Sequence, residues 1–592
     1  MRPDEFFSRL RLNYRAEGIL QNPLILELIF WAIVVLVSLA LFRLRPTIFR
    51  KIEAGGKRFS RRRGLTCATV ILSCLSIRAL VLPLKPIPEP EIHDEFSFLL
   101  QANTFASGKL TNPTPAGWEH FETFHVNMRP TYQSMYPPGN ALFLTAARVL
   151  HLDAWWGVWL SVGLMCGAVC WMLQGWLPPQ WALLGGLYCV LRFSVTSYWM
   201  ESYFGGAVAA IGGALVMGAL PRLRRSWSPW LGVVFAVGLG LIANTRAYEG
   251  FVFSVPIVIA LLWWFGVAWK EGKVRVSVLV PGLLLFGLIA VGMAYYNWRS
   301  TGSPTLPPYM VSQRDYHMTK PFIWQSAYPT RQYRHNIMRV FFAYHEMPDY
   351  YSRLGQGWLW KMFKERFEAY YNFFVWPMFV PALFATWFML KQRKLRIVSI
   401  TILLLLAGLL IEQWPPEAHY AAPALGVALL VVIYGLRLLR TYHLKGRPFG
   451  SVMVRAAVAC VLAWAFVPWS NALIDPFRIL DQAHWQAYWM PSQLERARMQ
   501  NQLLQTPGQH IIFVRFRSRD LGGIFWIYND PDIANSKVIW AYDMGDAANQ
   551  QLMQLYPNRT AWIVDKNDYL MLLSRYEPDK NPSSVLLQTN PW

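Results

Sequence analysis

Long apolar runs separated by short basic loops constrain the fold of this chain more than any other feature. Apolar stretches recur from Leu24 to Val467, and a helix needs about 20 mostly apolar residues to cross a bilayer. Charged residues make up only 15% of the chain, against about 25% in soluble proteins. The sequence therefore predicts an α-helical polytopic membrane protein with about 12–13 transmembrane helices, followed by a small C-terminal soluble α/β domain.

The excess of basic residues predicts the topology. The net charge is +22, and Lys and Arg cluster in short loops between apolar runs. These basic loops lie near residues 43–63, 222–225, 270–275, 391–396 and 437–447. Such loops stay on the cytoplasmic side of a membrane, so the charge does not indicate nucleic-acid binding. Between residues 139 and 222, four apolar segments occur where an odd number of crossings is needed, which leaves the total at twelve or thirteen.

This pattern divides the chain into three regions. Residues 1–64 are expected to form an N-terminal anchor helix and a basic cytoplasmic loop. Residues 65–470 form the transmembrane domain, with outer loops at 85–138 and 296–372. Residues 471–592 form a soluble extracytoplasmic α/β domain without a Gly-rich phosphate loop.

The C-terminal region shows alternating strand and helix patterns. Its expected elements are β-rich runs at 510–516, 524–528, 537–542 and 560–564 and helices at 491–505 and 546–556. Asp546 is the expected N-cap of the last helix.

Two motifs in the first outer loop are the strongest candidates for chemistry. The acidic pair Asp94-Glu95 follows His93 shortly after a predicted span ends, and Tyr136-Pro137-Pro138-Gly139 begins the next apolar run. Pro is tolerated in the first turn of a helix. Charged residues beside a bilayer are costly and tend to be functional.

In this order, the two motifs resemble the GT-C superfamily of membrane glycosyltransferases, of the mannosyltransferase and aminoarabinosyltransferase type. Members of that family open the first outer loop with an acidic pair, start the following span with Tyr-Pro-Pro and often end in a soluble domain. The resemblance covers residues 65–470 and rests on Asp94-Glu95 and Tyr136-Pro137-Pro138-Gly139. It implies a GT-C-like catalytic domain and a sugar donor linked to polyprenyl phosphate.

The resemblance also implies that Asp94 is the general base, assisted by Glu95. An inverting sugar transfer needs a carboxylate that removes the acceptor proton while the anomeric carbon is attacked. Burial beside lipid is expected to raise the pKa of Asp94. A competing interpretation makes Asp94 the N-cap of a helix that starts near Phe96.

A lipid-phosphate donor requires a cation near the outer headgroup level, and Arg can hold a phosphate through two parallel hydrogen bonds. Arg246 lies between two apolar spans on the predicted outer side, against the usual charge bias. The alternative role for Arg246 is an ion pair with Glu249. The full set of candidate substrate-binding residues is His93, Arg129, Tyr136, Arg246, Glu249, His345, Glu346, His419 and Tyr420.

No motif indicates a cofactor or a metal. The sequence contains no HExxH or CxxC pattern, and Asp530-Pro531-Asp532 lies in a turn-like stretch, so no metal ligands are assigned. The six cysteines lie in or beside apolar segments. That placement indicates neither a zinc site nor a disulfide framework.

We therefore expect a membrane glycosyltransferase that moves a sugar from a polyprenyl-phosphate carrier to a protein, lipid or glycan acceptor. Its site and C-terminal domain are expected on the outer face of a bacterial inner membrane. The alternative is a multi-pass transporter or flippase of a lipid-linked or small substrate. A transporter predicts internal repeats and ionisable residues in mid-membrane, and here the sequence shows no repeat and only Glu27 in such a position.

Overall fold

The computed structural model describes residues 23–44, 48–474, 485–516, 525–567 and 570–577. The helices are α1 Pro23–Leu44, α2 Ile48–Ser60, α3 Arg63–Val81, α4 His93–Ala106, α5 Gly139–Val149, α6 Trp155–Trp176, α7 Pro179–Phe193, α8 Tyr198–Glu201, α9 Ala207–Leu223, α10 Pro229–Ala243, α11 Ala247–Lys270, α12 Val280–Thr301, α13 Pro308–Asp315, α14 Asn336–Arg339, α15 Met347–Ser352, α16 Trp358–Tyr370, α17 Phe379–Lys391, α18 Arg396–Leu409, α19 Leu425–Leu439, α20 Phe449–Ile474, α21 Trp485–Gln505 and α22 Asp546–Leu555. The strands are β1 Val126–Asn127, β2 Gln133–Ser134, β3 Gln509–Arg515, β4 Val538–Tyr542, β5 Arg559–Asn567 and β6 Leu570–Arg575.

The apolar helices form the membrane part. Among the described residues, six helices are long and apolar enough to cross a membrane, or seven with one bent pair. The six are Leu24–Phe42, Arg63–Val81, Trp155–Trp176, Ala247–Lys270, Val276–Thr301 and Ala418–Leu439. The number of full-length spans is therefore lower than the predicted 12–13. Other apolar runs give shorter helices because Pro or a basic loop cuts them, as Pro229 does at the start of α10.

The bent pair explains the one acidic residue predicted in mid-membrane. The helical segments Trp358–Val375 and Phe379–Lys391 meet at an angle of 98°. The Glu27 carboxylate lies at this break. It accepts hydrogen bonds from the Tyr371 hydroxyl and, over 2.8 Å, from the Val380 N–H. Glu27 therefore joins α1 to the break, which accounts for its position without a transported ion.

Helix α9 lies in the centre of the bundle and is almost entirely buried. Its sequence is rich in Ala and Gly, which lets neighbouring backbones approach closely. A Cβ atom at Gly213 would lie 1.9 Å from the Pro423 carbonyl oxygen. Only glycine therefore allows α9 to pack against the 3₁₀ turn Ala418–Ala424, which carries two of the candidate residues.

The segment predicted to be the first outer loop is folded rather than extended. It contains α4 and the short antiparallel hairpin β1–β2, in which Val126 pairs with Ser134. The Ser97 hydroxyl on α4 donates to the His125 carbonyl over 2.7 Å. This contact fixes the hairpin against the first turns of α4.

The C-terminal region contains a four-stranded sheet in the order β4-β3-β5-β6. Strands β3, β4 and β5 are parallel, and β6 is an antiparallel edge strand that the sequence did not predict. The predicted strand at 524–528 is wrong in its described part, because residues 525–528 are buried but irregular. The Arg496 side chain donates to the carbonyls of Trp526 and Tyr528. In a strand, these carbonyls would accept from the N–H groups of a neighbouring strand.

The predicted fold class is confirmed: a mostly helical multi-pass membrane protein with a small C-terminal sheet region. The predicted boundary at 470 falls inside α20, which runs to Ile474. The last predicted helix begins at Asp546, as expected, but its N-cap is Gly545.

Candidate active site

In the first turn of α4, the side chains of Asp94 and Glu95 have different surroundings. The helix begins at His93 with Ile92 as its N-cap, so the predicted N-cap role of Asp94 is wrong. Glu95 is the capping residue instead, since its carboxylate accepts the backbone N–H groups of Glu91, Ile92 and Tyr203 over 2.6, 3.1 and 3.1 Å.

Glu95 is also almost fully buried. Burial raises the pKa of Glu95 to about 7, although the three N–H groups favour its ionised form. All of these contacts are with backbone, so Glu95 fixes the N-terminal turn of α4. The expectation that it assists Asp94 in catalysis stays a prediction.

Asp94 points into a cluster of polar rings. The Tyr136 hydroxyl donates to Asp94 Oδ1, and His125 Nδ1 lies 3.1 Å from the same oxygen. His93 Nε2 lies 3.5 Å from Asp94 Oδ2. The Asp94 side chain keeps 20% of its surface exposed, so it remains open to a ligand.

The pKa of Asp94 differs from the expectation. Burial favours the neutral carboxyl, but the charge of His93 and the hydrogen bond and charge of His125 outweigh it. Together they hold the pKa of Asp94 below the usual range of a carboxyl. The predicted upward shift is wrong because the sequence does not show that two histidines meet at this acid.

His125 is a member of this cluster that the sequence did not suggest. Its backbone is left-handed, with φ 58°, a conformation that costs of order 1–3 kcal/mol for a residue other than glycine. The His125 carbonyl accepts from the Ser97 hydroxyl over 2.7 Å and from the Met135 N–H over 3.1 Å. These two bonds hold the turn that aims the His125 ring at Asp94.

The Tyr136-Pro137-Pro138-Gly139 motif brings the acid cluster to Arg246. Helix α5 begins at Gly139, whose N–H donates to the Asn244 carbonyl over 2.8 Å. A Cβ atom at Gly139 would lie 2.6 Å from that same oxygen. Glycine therefore allows direct backbone contact between the motif and the turn that precedes α11.

A pocket opens between the motif and that turn. Both Tyr136 and Arg246 line this pocket. The other lining residues are Phe98, Pro137, Asn140, Phe204, Gly205, Gly206, Val208, Ala209 and Thr245. The lining thus combines apolar residues with Tyr136, Asn140, Thr245 and Arg246.

Three further predicted residues lie around Arg246. The Arg246 guanidinium lies over the Tyr420 ring, 4.8 Å from its centroid, and the His419 ring is 4.7 Å from that of Tyr420. His419 Nδ1 lies 3.1 Å from the Tyr198 hydroxyl. Glu249 is buried in the first turn of α11, and no ion pair joins it to Arg246 within the described part of the chain.

Glu417 interacts electrostatically with both Arg246 and Asp94. It directly precedes the 3₁₀ turn that carries His419 and Tyr420. Burial and the negative charge of Asp94 raise the pKa of Glu417 to about 7, and Arg246 opposes this shift. Glu417 therefore changes charge near neutral pH at a point where it acts on both the acid and the guanidinium.

Glu346 meets a histidine that the sequence did not single out. His317 Nδ1 lies 2.7 Å from Glu346 Oε1, and the His317 ring stacks parallel to that of His125 at 6.0 Å. The neighbouring His345 lies in the π-helical turn Val340–Glu346. Its side chain is outside the described atoms, so its predicted contact with substrate stays a prediction.

Arg129 does not join the pocket. Its side chain is exposed and lies over the Trp118 ring, 4.2 Å from the centroid. The cation–π contact occupies the guanidinium at the surface. The structure therefore separates Arg129 from the residues around Asp94 and Arg246.

His93, Asp94 and His125 are the residues with the geometry to hold a metal. Within the described chain they form the one such group, and their ligand atoms all lie within 4.8 Å of one another. Imidazole and carboxylate suit a divalent transition metal. The sequence assigned no metal ligands, because His125 is separated from Asp94 by a loop and no ligand spacing marks it.

The C-terminal region packs directly on α4. The Tyr528 ring stacks on Phe96 at 4.6 Å, and its hydroxyl donates to the Phe124 carbonyl over 2.9 Å. The Phe525 ring lies 4.7 Å from that of His93. The segment 525–528 therefore covers the N-terminal end of α4, beside the acid cluster.

Together, the fold and the site define a multi-pass membrane protein with an acid–histidine cluster on its first extramembrane loop. No protein-family model and no curated protein sequence matches the chain. Among solved structures, it is similar to ArnT from Cupriavidus metallidurans bound to undecaprenyl phosphate, with 12% identity, a TM-score of 0.44 and coverage of 84% of this chain and 92% of that one.

It is also similar to the oligosaccharyltransferase of Archaeoglobus fulgidus in complex with Zn and sulfate, with 11% identity, a TM-score of 0.44 and coverage of 83% and 68%. The archaeal oligosaccharyltransferase AglB in complex with an inhibitory peptide and a dolichol-phosphate gives 9% identity, a TM-score of 0.37 and coverage of 83% and 69%.

Proposed function

We propose that this protein is an inverting membrane glycosyltransferase that uses a sugar linked to polyprenyl phosphate. The observation that carries the proposal is the arrangement at the pocket. Asp94 is hydrogen-bonded through Oδ1 to Tyr136, and Tyr136 and Arg246 line the same pocket. A base beside a pocket that also contains a phosphate ligand suits a lipid-linked sugar.

In this reaction, Asp94 removes the proton of an acceptor hydroxyl as the oxygen attacks the anomeric carbon. The bond from that carbon to the phosphate oxygen breaks, and the electron pair leaves with the polyprenyl phosphate. The Arg246 guanidinium stabilises the departing phosphate. Tyr420 supports Arg246 from its far side through a cation–π contact at 4.8 Å.

The position of the site in the cell is part of the proposal. Positive-inside loops put α4 and Arg246 on the outer face, where lipid-linked sugars meet protein, lipid or glycan acceptors. We place the protein in a bacterial inner membrane with the C-terminal region outside. A transported substrate is not proposed, because Glu27 is accounted for by its contacts at the bend.

Two substitutions with opposite effects test the proposal. Asp94→Asn keeps the size of the side chain but cannot accept the proton, so turnover should fall about 10²–10⁴-fold while undecaprenyl phosphate still binds. Arg246→Lys keeps the charge but loses the planar fork, so binding of undecaprenyl phosphate should weaken by roughly 1–2 kcal/mol. Turnover is measured on the lipid-linked sugar that copurifies, identified by mass spectrometry.

Glu95→Gln is the matched control, since it alters the neighbouring acid. It should lower the melting temperature, because an amide N–H replaces an oxygen that accepts backbone N–H groups, without the turnover loss of Asp94→Asn. Parent-like turnover in a folded Asp94→Asn protein would refute the base. Turnover that EDTA abolishes and Mn²⁺ or Zn²⁺ restores would instead make His93, Asp94 and His125 a metal centre.

A further inference from the structure

The hydrogens of the Asp94 cluster can be assigned from its contacts. An ionised carboxylate only accepts hydrogen bonds, so the Tyr136 hydroxyl, which bonds Asp94 Oδ1, gives its proton to that oxygen. His125 Nδ1 lies 2.7 Å from the Tyr136 oxygen and 3.1 Å from Asp94 Oδ1. With Asp94 ionised and Tyr136 donating to it, both neighbours of Nδ1 can accept, and these contacts assign the hydrogen to Nδ1.

The His125 ring is held from several sides. Its edge meets the His93 ring at 4.1 Å, and its face stacks on His317 at 6.0 Å. The left-handed backbone and the two hydrogen bonds to the His125 carbonyl fix the Cα–Cβ direction. A ring confined in this way can hold a carboxylate in one rotamer.

We propose that His125 is a positioning residue for Asp94. It donates from Nδ1 to Oδ1 and so leaves Oδ2 to receive the acceptor proton. His125 acts through Asp94 and does not contact the reacting atoms, and this role rests on the proposed glycosyl transfer. The unusual backbone is retained because it directs Nδ1 at Oδ1, which a helical or extended residue 125 would not do.

Substitutions at His125 distinguish positioning from a general contribution to folding. In His125→Ala the donor is lost, and kcat should fall roughly 10²-fold, as expected when a reacting group is misplaced by about 1 Å. KM and the affinity for undecaprenyl phosphate should change less than about twofold. His125→Asn keeps an N–H donor at the δ position and tolerates the left-handed backbone, so it should recover most of kcat.

His151 provides the control for backbone strain. It is exposed and also left-handed, with φ 57°, so His151→Ala introduces the same strain away from the site. That variant should lose some thermal stability and keep the parental kcat. A His125→Ala protein with parental kcat would overturn the proposal, as would a His125→Asn protein as slow as His125→Ala at equal melting temperature.

A spectrum separates failure of this inference from failure of the proposed function. In ¹⁵N-histidine NMR spectra, the Nδ1–H signal that disappears in His125→Ala should move in Asp94→Asn and stay in place in His151→Ala. If the signal moves but Asp94→Asn turns over normally, the contact stands and the glycosyl-transfer mechanism fails. If the signal does not respond to Asp94→Asn, the positioning contact itself is refuted.

Discussion

Glu417 connects the charge of the pocket to pH. Its pKa, raised to about 7 by burial and by the charge of Asp94, makes it neutral in mild acid and negative in mild base. The negative form attracts Arg246, the residue proposed to hold the donor phosphate. Donor binding is therefore expected to weaken as the pH rises through about 7, because ionised Glu417 competes with the phosphate.

The prediction is tested by comparing Glu417→Gln with the parent. Between pH 6 and pH 8, the affinity for undecaprenyl phosphate should fall about fivefold more in the parent than in Glu417→Gln. This factor is equivalent to about 1 kcal/mol, as expected for a partly screened charge pair. Titration of the lipid phosphate itself affects both proteins equally and cancels. Equal pH dependence in the two proteins would contradict the role of Glu417.

Individual residues of the site could be predicted from the sequence where they belong to a short motif. Asp94, Tyr136 and Arg246 stand beside span boundaries, where charged groups are costly. In the structure Tyr136 bonds to Asp94 and lines one pocket with Arg246. His125 and His317 were not predictable, because they reach the site from separate loops without periodicity or spacing. Glu95 shows a different limit of sequence-based prediction. Its carboxylate faces backbone N–H groups, whereas that of Asp94, one position earlier on the helix, faces the site.

At the scale of elements, hydrophobic runs located the helices well. The run 24–42 and the helix Pro23–Leu44 agree closely, as do 155–174 and Trp155–Trp176. The run 373–390 is apolar over the length of one span, but the chain bends at Trp376, which composition alone does not reveal. Residues 525–528 have the apolar composition of a strand, yet tertiary contacts with α4 and Arg496 determine their conformation.

Arg496 should be essential for holding the segment 525–528 on α4. It donates to the carbonyls of Trp526 and Tyr528 over 3.0 and 2.9 Å. Arg496→Met would leave the Tyr528 carbonyl without its side-chain donor, at about 1–3 kcal/mol, whereas the Trp526 carbonyl would keep the Tyr528 N–H at 2.9 Å. We expect a clear fall in melting temperature and a lower turnover, because the Phe525 ring packs on His93 beside Asp94.

Arg498 lies on the same helix with 77% of its side chain exposed, so Arg498→Met is the matched control. It should leave both melting temperature and turnover close to the parental values. If Arg496→Met lowers the melting temperature without affecting turnover, the C-terminal region supports the fold but not the site.

At the scale of the whole molecule, paired charges agree with the predicted sides of the membrane. Glu53, in the first basic loop, pairs with Arg440 over 2.9 Å and with Arg455 over 2.8 Å. The first basic loop and the loop near residues 437–447 therefore lie on the same side of the bundle, as the positive-inside pattern predicts.

Labelling with a membrane-impermeant thiol reagent tests the orientation. A cysteine at Ser303 should be labelled in intact cells, whereas one at the exposed Gln392 should be labelled only after the membrane is opened. The parent, with its six native cysteines, gives the background. Labelling at 392 but not at 303 would place the pocket on the cytoplasmic side and contradict the proposed outer-face reaction.

The backbone contact between Gly139 and Asn244 has a consequence for how this protein can diversify. Because main-chain atoms join the two sides of the pocket, the separation of Tyr136 from Arg246 does not depend on the identity of the side chains between them. Substitutions at the aliphatic lining, such as Val208 and Ala209, would then change the shape of the pocket without altering this backbone contact. On the proposed function, single replacements there would change the sugar preference, provided that position 139 stays glycine.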